Sequence, residues 1–386
     1  MLKRAIIVSA ARAAMLPAAP AGGADYHAAP APGRNVRVLA TGGTIAGTGK
    51  GSSTSYQAGV VPVGDILRAV PGLANIANIA AEQVANVPSG EMNATLWLRL
   101  FGRARSALSD AAVSGVVVTH GTGTLEETAY FLSLVLPSTK PVVIVGSMRP
   151  GTAASPDGPQ NLLDAVRVAS ADQARDRGVV VVMNDTIFDP ASVTKLDIHR
   201  VNAFAAPTRG PIGDVLTDTP RFFEKAAPHD AEFAVVTQQL PRVAVVCAYA
   251  GLRAEDIRSA SRGAKGLIFA GVGAGGFSTD AGRALKELTS RGIAVVRTAR
   301  QGAGDVWRED DPEYEGRDHQ LGTIAGRELT PAKARICSCS HCRSRAPPPS
   351  CNPYSTAMVL AGANSATCFT RNVRFPPIAD IRKGPP

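Results

Sequence analysis

The chain has 386 residues, of which 45% are hydrophobic and 19% are charged, and its formal net charge is +9. This composition suits a globular protein of two ordinary-sized domains, and no apolar run approaches the roughly 20 residues of a membrane-spanning helix. Residues 1–35 carry a net charge of +3 and residues 337–386 carry +5, which leaves +1 for residues 36–336. A nucleic-acid-binding protein would place a basic face on its folded part, so this distribution argues against that class.

The first 35 residues resemble a secretory leader followed by a linker. Lys3 and Arg4 form a positive region, an apolar stretch follows, and small residues occupy positions 19–24. Arg12 interrupts the apolar part. We expect export to the periplasm or beyond, with residues 25–35 as a linker. The alternative is a disordered Ala/Pro leader on a cytoplasmic protein.

From residue 36 onwards, apolar strands alternate with helical stretches such as 94–109 and 125–136. This alternation predicts an α/β fold with a mainly parallel, doubly wound sheet covered on both faces. Three prolines and mixed charge interrupt the pattern at 219–241, which we interpret as an interdomain linker. It would separate a larger N-terminal catalytic domain, 36–218, from a smaller Rossmann-like domain, 242–336. The predicted strands are 36–40, 116–119, 142–146, 179–183, 243–249, 267–270 and 294–297.

The first motif, VRVLATGGTIAG, occupies residues 36–47. A β-branched apolar run predicts a buried strand, and Gly42 and Gly43 allow a sharp turn and a close approach to a ligand. Thr44 then lies at a strand's carboxyl end, where open α/β sheets bind ligands. Its hydroxyl could attack a carbonyl group. The alternative is a turn in which the hydroxyl is merely satisfied.

The second motif, VVVTHGTGTLEETAYF at 116–131, again predicts a strand, a Gly/Thr turn and a helix. Thr124 and Glu127 have the spacing of a capping box, which predicts that the helix begins there. Thr122 lies beside the helix N-terminus, where the partial positive charge favours an anion.

With these two motifs, residues 36–336 resemble the bacterial-type L-asparaginases of the asparaginase/glutaminase family, of the periplasmic type II kind. The resemblance implies a two-domain amidohydrolase that forms a homotetramer, as a dimer of dimers, and needs no cofactor or metal. Its substrate would be L-asparagine, with L-glutamine as a second candidate. The supporting motifs are TGGTIAG at 41–47, VVVTHGTGTLEETAYFL at 116–132, VGSMRP at 145–150, DGPQNL at 157–162, VVMNDTIFDPASVTK at 181–195 and PAKAR at 331–335.

The resemblance implies catalytic roles for four residues. Thr44 corresponds to the nucleophile that attacks the side-chain amide, and Tyr56 to the tyrosine of a mobile lid that activates or positions it. Thr122 and Lys195 correspond to members of a second set that handles the nucleophilic water. The products would be aspartate and ammonia, formed through an acyl-enzyme on Thr44. A lysine can act as a base when burial or another cation lowers its pKa.

Four further residues correspond to the substrate-binding part of the family's site. Ser89 would bind the α-carboxylate, and Ser147 would contact the substrate amide through its backbone. Gly90 replaces a polar residue that helps to select the substrate. Gly123 replaces an aspartate of the H-G-T-D-T motif, whose carboxylate holds the substrate ammonium and belongs to a Thr–Lys–Asp set.

Glycine at this position can neither accept a proton nor pair with a cation. Losing one charge-assisted hydrogen bond costs about 1.5–3 kcal/mol. We therefore predict an asparaginase fold with impaired or absent activity, which Gly123→Asp should restore. The alternative is a family member that only binds aspartate or asparagine. Retention of Thr44, Tyr56, Thr122 and Lys195 together favours the enzyme.

The C-terminal part departs from the family as well. A loop that carries asparagines in the family reads GVGAGG at 271–276. This loop formally matches a dinucleotide fingerprint, but the next strand ends in the cation Arg297 rather than in an acidic residue. The acidic residue that the family lends across the dimer cannot be assigned to a single position; the candidates are Glu309, Asp311 and Glu315.

The tail forms the last departure. Apolar periodicity stops at Ile336, and residues 337–386 read as a disordered or frame-shifted segment. Loss of the family's terminal helix would expose apolar core and lower stability. Cys247 is the one cysteine of the body, and its apolar run predicts a small core residue. A metal site is an alternative for the crowded tail residues, although their spacing fits no standard zinc pattern: Cys337, Cys339, His341 and Cys342.

Overall fold

The computed structural model describes residues 26–27, 33–51, 55–226, 240–308 and 318–336. The strands within these residues are β1 (Tyr26–His27), β2 (Asn35–Gly42), β3 (Thr48–Gly49), β4 (Tyr56–Gln57), β5 (Asn78–Val87), β6 (Gly115–Thr119), β7 (Val142–Val145), β8 (Val179–Met183), β9 (Thr186–Phe188), β10 (Thr194–Lys195), β11 (Phe204–Ala205), β12 (Gly213–Asp214), β13 (Arg221–Phe222), β14 (Val243–Cys247), β15 (Gly266–Gly271), β16 (Ala294–Ala299) and β17 (Ile324–Ala325).

The helices alternate with these strands. Asn93 begins the longest described helix, because its side chain accepts a hydrogen bond from the Leu96 amide at 3.1 Å. The α-helices are α1 (Val63–Arg68), α2 (Leu73–Ile76), α3 (Ala94–Ser109), α4 (Leu125–Val135), α5 (Gly158–Ser170), α6 (Ala254–Ala260), α7 (Thr279–Ser290), α8 (Asp318–Leu321) and α9 (Pro331–Ile336).

Nine of the described strands form one large sheet, in the order β1-β5-β2-β6-β7-β8-β9-β12-β13. Its centre, from β5 to β8, is parallel, and its outer strands are antiparallel. Parallel strands buried on both faces are continuously apolar. In β6, for example, Val116 and Val118 pack with α3 and α4, whereas Val117 packs with α1 and α5 on the opposite face. The sheet also extends into both segments that the sequence predicted as linkers, since β1 pairs with β5 and β13 pairs with β12.

A separate sheet forms the C-terminal domain. Its strands are all parallel, in the order β14-β15-β16-β17. Helices α6 and α7 cover one face, and α9 packs on the other through Ala334 against Ile268 and Val296. The protein is therefore an α/β protein with a large, mainly parallel N-terminal sheet and a small parallel C-terminal sheet, as the sequence predicted.

Two local predictions are wrong. Cys247 is exposed and not a core residue, because it lies at the end of the edge strand β14, on the same face as the exposed Val245. Thr124 does not form a capping box with Glu127. The Thr124 hydroxyl instead donates to the Ser89 carbonyl at 2.9 Å, and Glu127 accepts a hydrogen bond from Arg335. Thr124 and Glu127 are thus engaged by distant residues, and Cys247 has no covering element among the described residues; local sequence reveals neither fact.

In the described ranges, no helix is both long and apolar enough to cross a bilayer.

Candidate active site

Four predicted site residues follow four adjacent strands of the large sheet. The strands β5, β2, β6 and β7 are neighbours and parallel. Their carboxyl ends therefore meet at one edge, which is where ligands bind in sheets of this kind. The residues that follow these ends are Ser89, Thr44, Thr122 and Ser147, in the order of the strands.

Thr44 lies in a single 3-10 turn directly after β2 and is nearly buried. Its hydroxyl is 2.8 Å from the hydroxyl of Tyr56, which β4 supplies through a hairpin with β3. Gly43 makes this turn possible. Its φ is +83°, and a Cβ there would lie 2.2 Å from the Cα of Gly121. Only glycine allows the Thr44 turn and the turn after β6 to approach so closely.

Thr122 and Lys195 form the second pair. The Lys195 ammonium donates to the Thr122 hydroxyl at 2.8 Å. Burial lowers the pKa of Lys195 below its usual range, and the Asp197 carboxylate partly offsets this effect. Within the described part of the chain, Lys195 forms no ion pair. The backbone amide of Lys195 donates to the Glu126 carboxylate at 2.9 Å, a contact that sequence reasoning missed.

Gly123 lies at the exposed surface of the same turn. Its φ is not in the left-handed region, so a side chain meets no backbone penalty there. A Cβ would lie 2.7 Å from the Ser89 hydroxyl and 3.6 Å from the Ser89 Cβ. Because the hydroxyl can rotate away, the site has room for a larger residue. Gly90 is exposed, and a Cβ there would meet nothing within 4 Å.

Ser147 is fully buried, and its hydroxyl donates to the Arg149 carbonyl at 2.8 Å. Its side chain is therefore engaged within its own loop. The Asp157 carboxylate fixes that loop, since it accepts hydrogen bonds from the amides of Met148 and Arg149, both at 2.8 Å. Asp157 and Asn161, which donates to the Gly146 carbonyl at 3.0 Å, support the site from α5 and its N-terminus. The motif DGPQNL was their sequence signal.

His120 belongs to the second motif and has no exposed surface. One ring nitrogen is 2.8 Å from the Gly121 carbonyl, and the other is 2.8 Å from the Thr128 hydroxyl, which also accepts a hydrogen bond from Trp97. Burial lowers the pKa of His120 to about 4. The ring is therefore neutral at ordinary pH and supports the turn that carries Thr122.

We expect the free energy of unfolding to fall as the pH is lowered from 6.5 towards about 4, the ordinary and the folded pKa of His120. Over this range the unfolded histidine binds a proton and the buried one does not, which costs on the order of 3 kcal/mol. Urea denaturation at several pH values measures this loss. His120→Gln should reduce the slope, whereas His319→Gln, at an exposed position, should preserve it. Equal slopes in the two variants would contradict the assignment.

A cavity of about 500 Å³ is lined by residues of both domains. Thr194 of β10 contributes to its wall, but neither Thr44 nor Thr122 does. The cavity thus adjoins the strand that carries Lys195.

Several predicted features fall outside the described residues. These are the leader 1–25, the lid residues 52–54, the acidic candidates Glu309, Asp311 and Glu315, and the tail 337–386 with its cysteines. Where the structure does describe the chain, it contains no group of three or more His, Cys, Asp or Glu residues placed to bind a metal.

Comparison with known proteins agrees with this architecture. The family model "Asparaginase, N-terminal" matches residues 35–228, and the model "Glutaminase/Asparaginase C-terminal domain" matches residues 242–339. L-asparaginase 2 of Bacillus subtilis is 42% identical over 308 residues, which cover 78% of this chain and 80% of the relative. Glutaminase-asparaginase of Pseudomonas fluorescens is 41% identical over 310 residues, covering 78% and 84% respectively.

A solved structure, that of the probable cytoplasmic L-asparaginase from Campylobacter jejuni, matches with a TM-score of 0.74 and 37% identity. The match covers 79% of this chain and 93% of that one. Both family models, the relatives and the shared fold lead to one conclusion: the chain belongs to the asparaginase/glutaminase family.

Proposed function

We propose that this protein is an L-asparaginase-type amidohydrolase that converts L-asparagine to L-aspartate and ammonia. The observation that carries the proposal is the pairing of Thr44 with Tyr56 at 2.8 Å at the carboxyl edge of the sheet. A hydroxyl nucleophile needs a partner that can relay its proton, and the contact with Tyr56 supports that role. Named relatives that are L-asparaginases support the substrate class.

In the proposed reaction, the Thr44 oxygen attacks the carbon of the side-chain amide, and its proton passes through Tyr56 towards the leaving nitrogen. Collapse of the tetrahedral intermediate releases ammonia and leaves an aspartyl ester on Thr44. A water molecule then attacks the ester. The Thr122 hydroxyl passes the water's proton to the neutral amine of Lys195, 2.8 Å away. The second tetrahedral intermediate then breaks its bond to the Thr44 oxygen, which regains a proton as L-aspartate leaves. The lowered pKa of Lys195 supports this role, since a more readily neutral amine can accept a proton.

Gly123 leaves this machinery without a carboxylate for the substrate ammonium, so we propose that activity is impaired. A second candidate function follows from the same residue, namely binding of aspartate or asparagine without turnover. Retention of the Thr44–Tyr56 pair and of the Thr122–Lys195 pair favours the enzyme. We also propose export to the periplasm or beyond and assembly as a homotetramer. L-glutamine remains a second candidate substrate.

We expect Gly123→Asp to raise kcat/KM for L-asparagine by about 10- to 150-fold, which corresponds to a charge-assisted hydrogen bond of 1.5–3 kcal/mol. The gain should vanish with succinamate, which is L-asparagine without its α-amino group. Ammonia release from both substrates, by both proteins, measures the coupling between the new carboxylate and the ammonium.

Gly123→Ala and Gly123→Asn are the matched controls. Alanine makes the same close contact with Ser89, and asparagine has the shape of aspartate without its charge. Neither should reproduce the gain. An equal gain with succinamate would refute the ammonium explanation. Tight aspartate binding with no turnover in either protein would favour the binding-only function.

A further inference from the structure

Lys333 is a fully buried lysine for which the proposed reaction has no use. It belongs to α9, the helix of the C-terminal domain that contains the PAKAR motif. Its ammonium donates to the carbonyl of Ala191 at 3.0 Å and also to the carbonyl of Val193. Burial of an ammonium costs several kcal/mol unless hydrogen bonds and charges compensate for it. The hydrogen bonds to the two carbonyls therefore stabilise the buried ammonium, and the ammonium in turn fixes the positions of the two carbonyls.

Those carbonyls belong to residues four and two positions before Lys195. The Asp189 carboxylate organises the same segment, because it accepts hydrogen bonds from the amides of Ala191 and Ser192 at 2.8 and 3.2 Å. On the other side, Glu126 accepts the backbone amide of Lys195 at 2.9 Å. Burial lowers the pKa of Lys333 to about 8, and the carboxylates of Glu126 and Asp189 oppose that shift. Lys333 thus lies among the groups that fix the backbone of Lys195.

The same helix also contacts the segment that carries Thr122. Arg335 donates to the Glu127 carboxylate at 2.9 Å, and its guanidinium lies 5.3 Å from the ring centre of Trp97. Glu127 belongs to the first turn of α4, which follows Thr122 after two residues. Helix α9 therefore contacts, from the other domain, both the segment that precedes Lys195 and the helix that follows Thr122.

We propose that Lys333 is a positioning residue of the active site, which holds the Ala191–Val193 carbonyls so that Lys195 stays in hydrogen-bond contact with Thr122. This inference rests on the proposed function of that pair. It makes the C-terminal domain of a chain part of that chain's own catalytic assembly. Small displacements of a catalytic group reduce the rate strongly, so the effect should appear in kcat.

The test uses Lys333→Gln and Lys333→Arg in the Gly123→Asp protein, with Lys286→Gln as the matched control, since Lys286 is an exposed lysine of the same domain. We expect kcat for L-asparagine to fall by about 10- to 100-fold in both Lys333 variants, with KM changed less than threefold. The pH profile of kcat should shift, because Lys195 gains contact with water. Lys286→Gln should behave like the parent.

A second readout requires no turnover. In protein labelled with ¹³C-lysine, the Lys195 signal is assigned by its loss in Lys195→Arg and is titrated by NMR. Its midpoint should rise towards the ordinary lysine value in both Lys333 variants. Lys333→Arg keeps the positive charge, so a rise there reports displacement and not a lost charge. If Gly123→Asp is inactive, the proposed function fails, and this titration still tests the positioning role.

The inference is overturned if folded Lys333→Gln and Lys333→Arg keep the parent's kcat, pH profile and Lys195 titration. Failure of both variants to fold, with Lys286→Gln folded, would also overturn it, because Lys333 would then be a purely structural residue.

Discussion

Thr44→Ala, made in the Gly123→Asp protein, is expected to lower kcat for ammonia release from L-asparagine by at least about 1,000-fold. The Thr44 hydroxyl attacks only in the transition state, so its removal should affect kcat far more than KM. Tyr56→Phe removes the partner hydroxyl at 2.8 Å and leaves the nucleophile, so its loss should be smaller. Stopped assays of ammonia release measure all three proteins.

The structure contains a second candidate for the nucleophile besides Thr44. Thr122 is also a nearly buried hydroxyl, and it is hydrogen-bonded to a lysine with a lowered pKa. Intact-protein mass spectrometry after an acid quench separates the two. If Thr44 is the nucleophile, Thr122→Val should accumulate an adduct with the mass of an aspartyl group, and Thr44→Ala should form none. An adduct on Thr122 would reverse the two roles.

Sequence patterns predicted most of the central sheet because its strands are buried on both faces and are continuously apolar. The predicted strand 179–183 coincides with β8, and the predicted helix 94–109 coincides with α3. The long strand β5 escaped prediction. It contains Glu82, Gln83 and Asn86 and lies near the sheet's edge, where only some of its side chains are buried. Such a strand lacks the apolar run that reveals the others.

In the candidate site, too, some features follow from local sequence and others do not. Thr44 and Thr122 follow apolar strands and lie in glycine turns, so local sequence located them. The contacts that hold Lys195 in place are not local. Glu126 is 69 residues away from it in the chain, and the contact between Lys333 and Val193 spans 140 residues. No periodicity reports such a pairing, because it depends on how the two domains pack.

Arg297 also forms a long-range contact that the sequence did not predict, and this contact has a large expected effect on stability. The sequence indicates only that Arg297 is a cation where a dinucleotide-binding motif would need an acidic residue. In the structure it is fully buried and forms a bidentate ion pair with Asp318 of α8, through Nε–Oδ1 at 2.7 Å and Nη2–Oδ2 at 2.8 Å. It also donates to the Gly275 carbonyl at 3.1 Å. The glycine turn that formally resembles a nucleotide loop is thus tied to a structural arginine.

Asp318→Ala is expected to lower the free energy of unfolding by about 3–5 kcal/mol, because it removes one partner of a buried, bidentate ion pair. Asp172→Ala is the matched control: Asp172 pairs with Arg34 in the same bidentate geometry, at 2.7 and 2.5 Å, but on the surface. Its loss should be much smaller, since solvent screens exposed pairs. Urea denaturation of both variants measures the difference.

A double variant tests the physical reason as well as the size of the effect. If the cost of Asp318→Ala comes from breaking the buried ion pair on one side only, replacing both partners by apolar residues of similar volume, Arg297→Met with Asp318→Leu, should recover most of the lost stability. If the double variant is as unstable as Asp318→Ala, the pair matters through its other contacts. Thr323, whose hydroxyl donates to Asp318 at 2.6 Å, and the Gly275 carbonyl would then be the groups whose lost hydrogen bonds account for the instability.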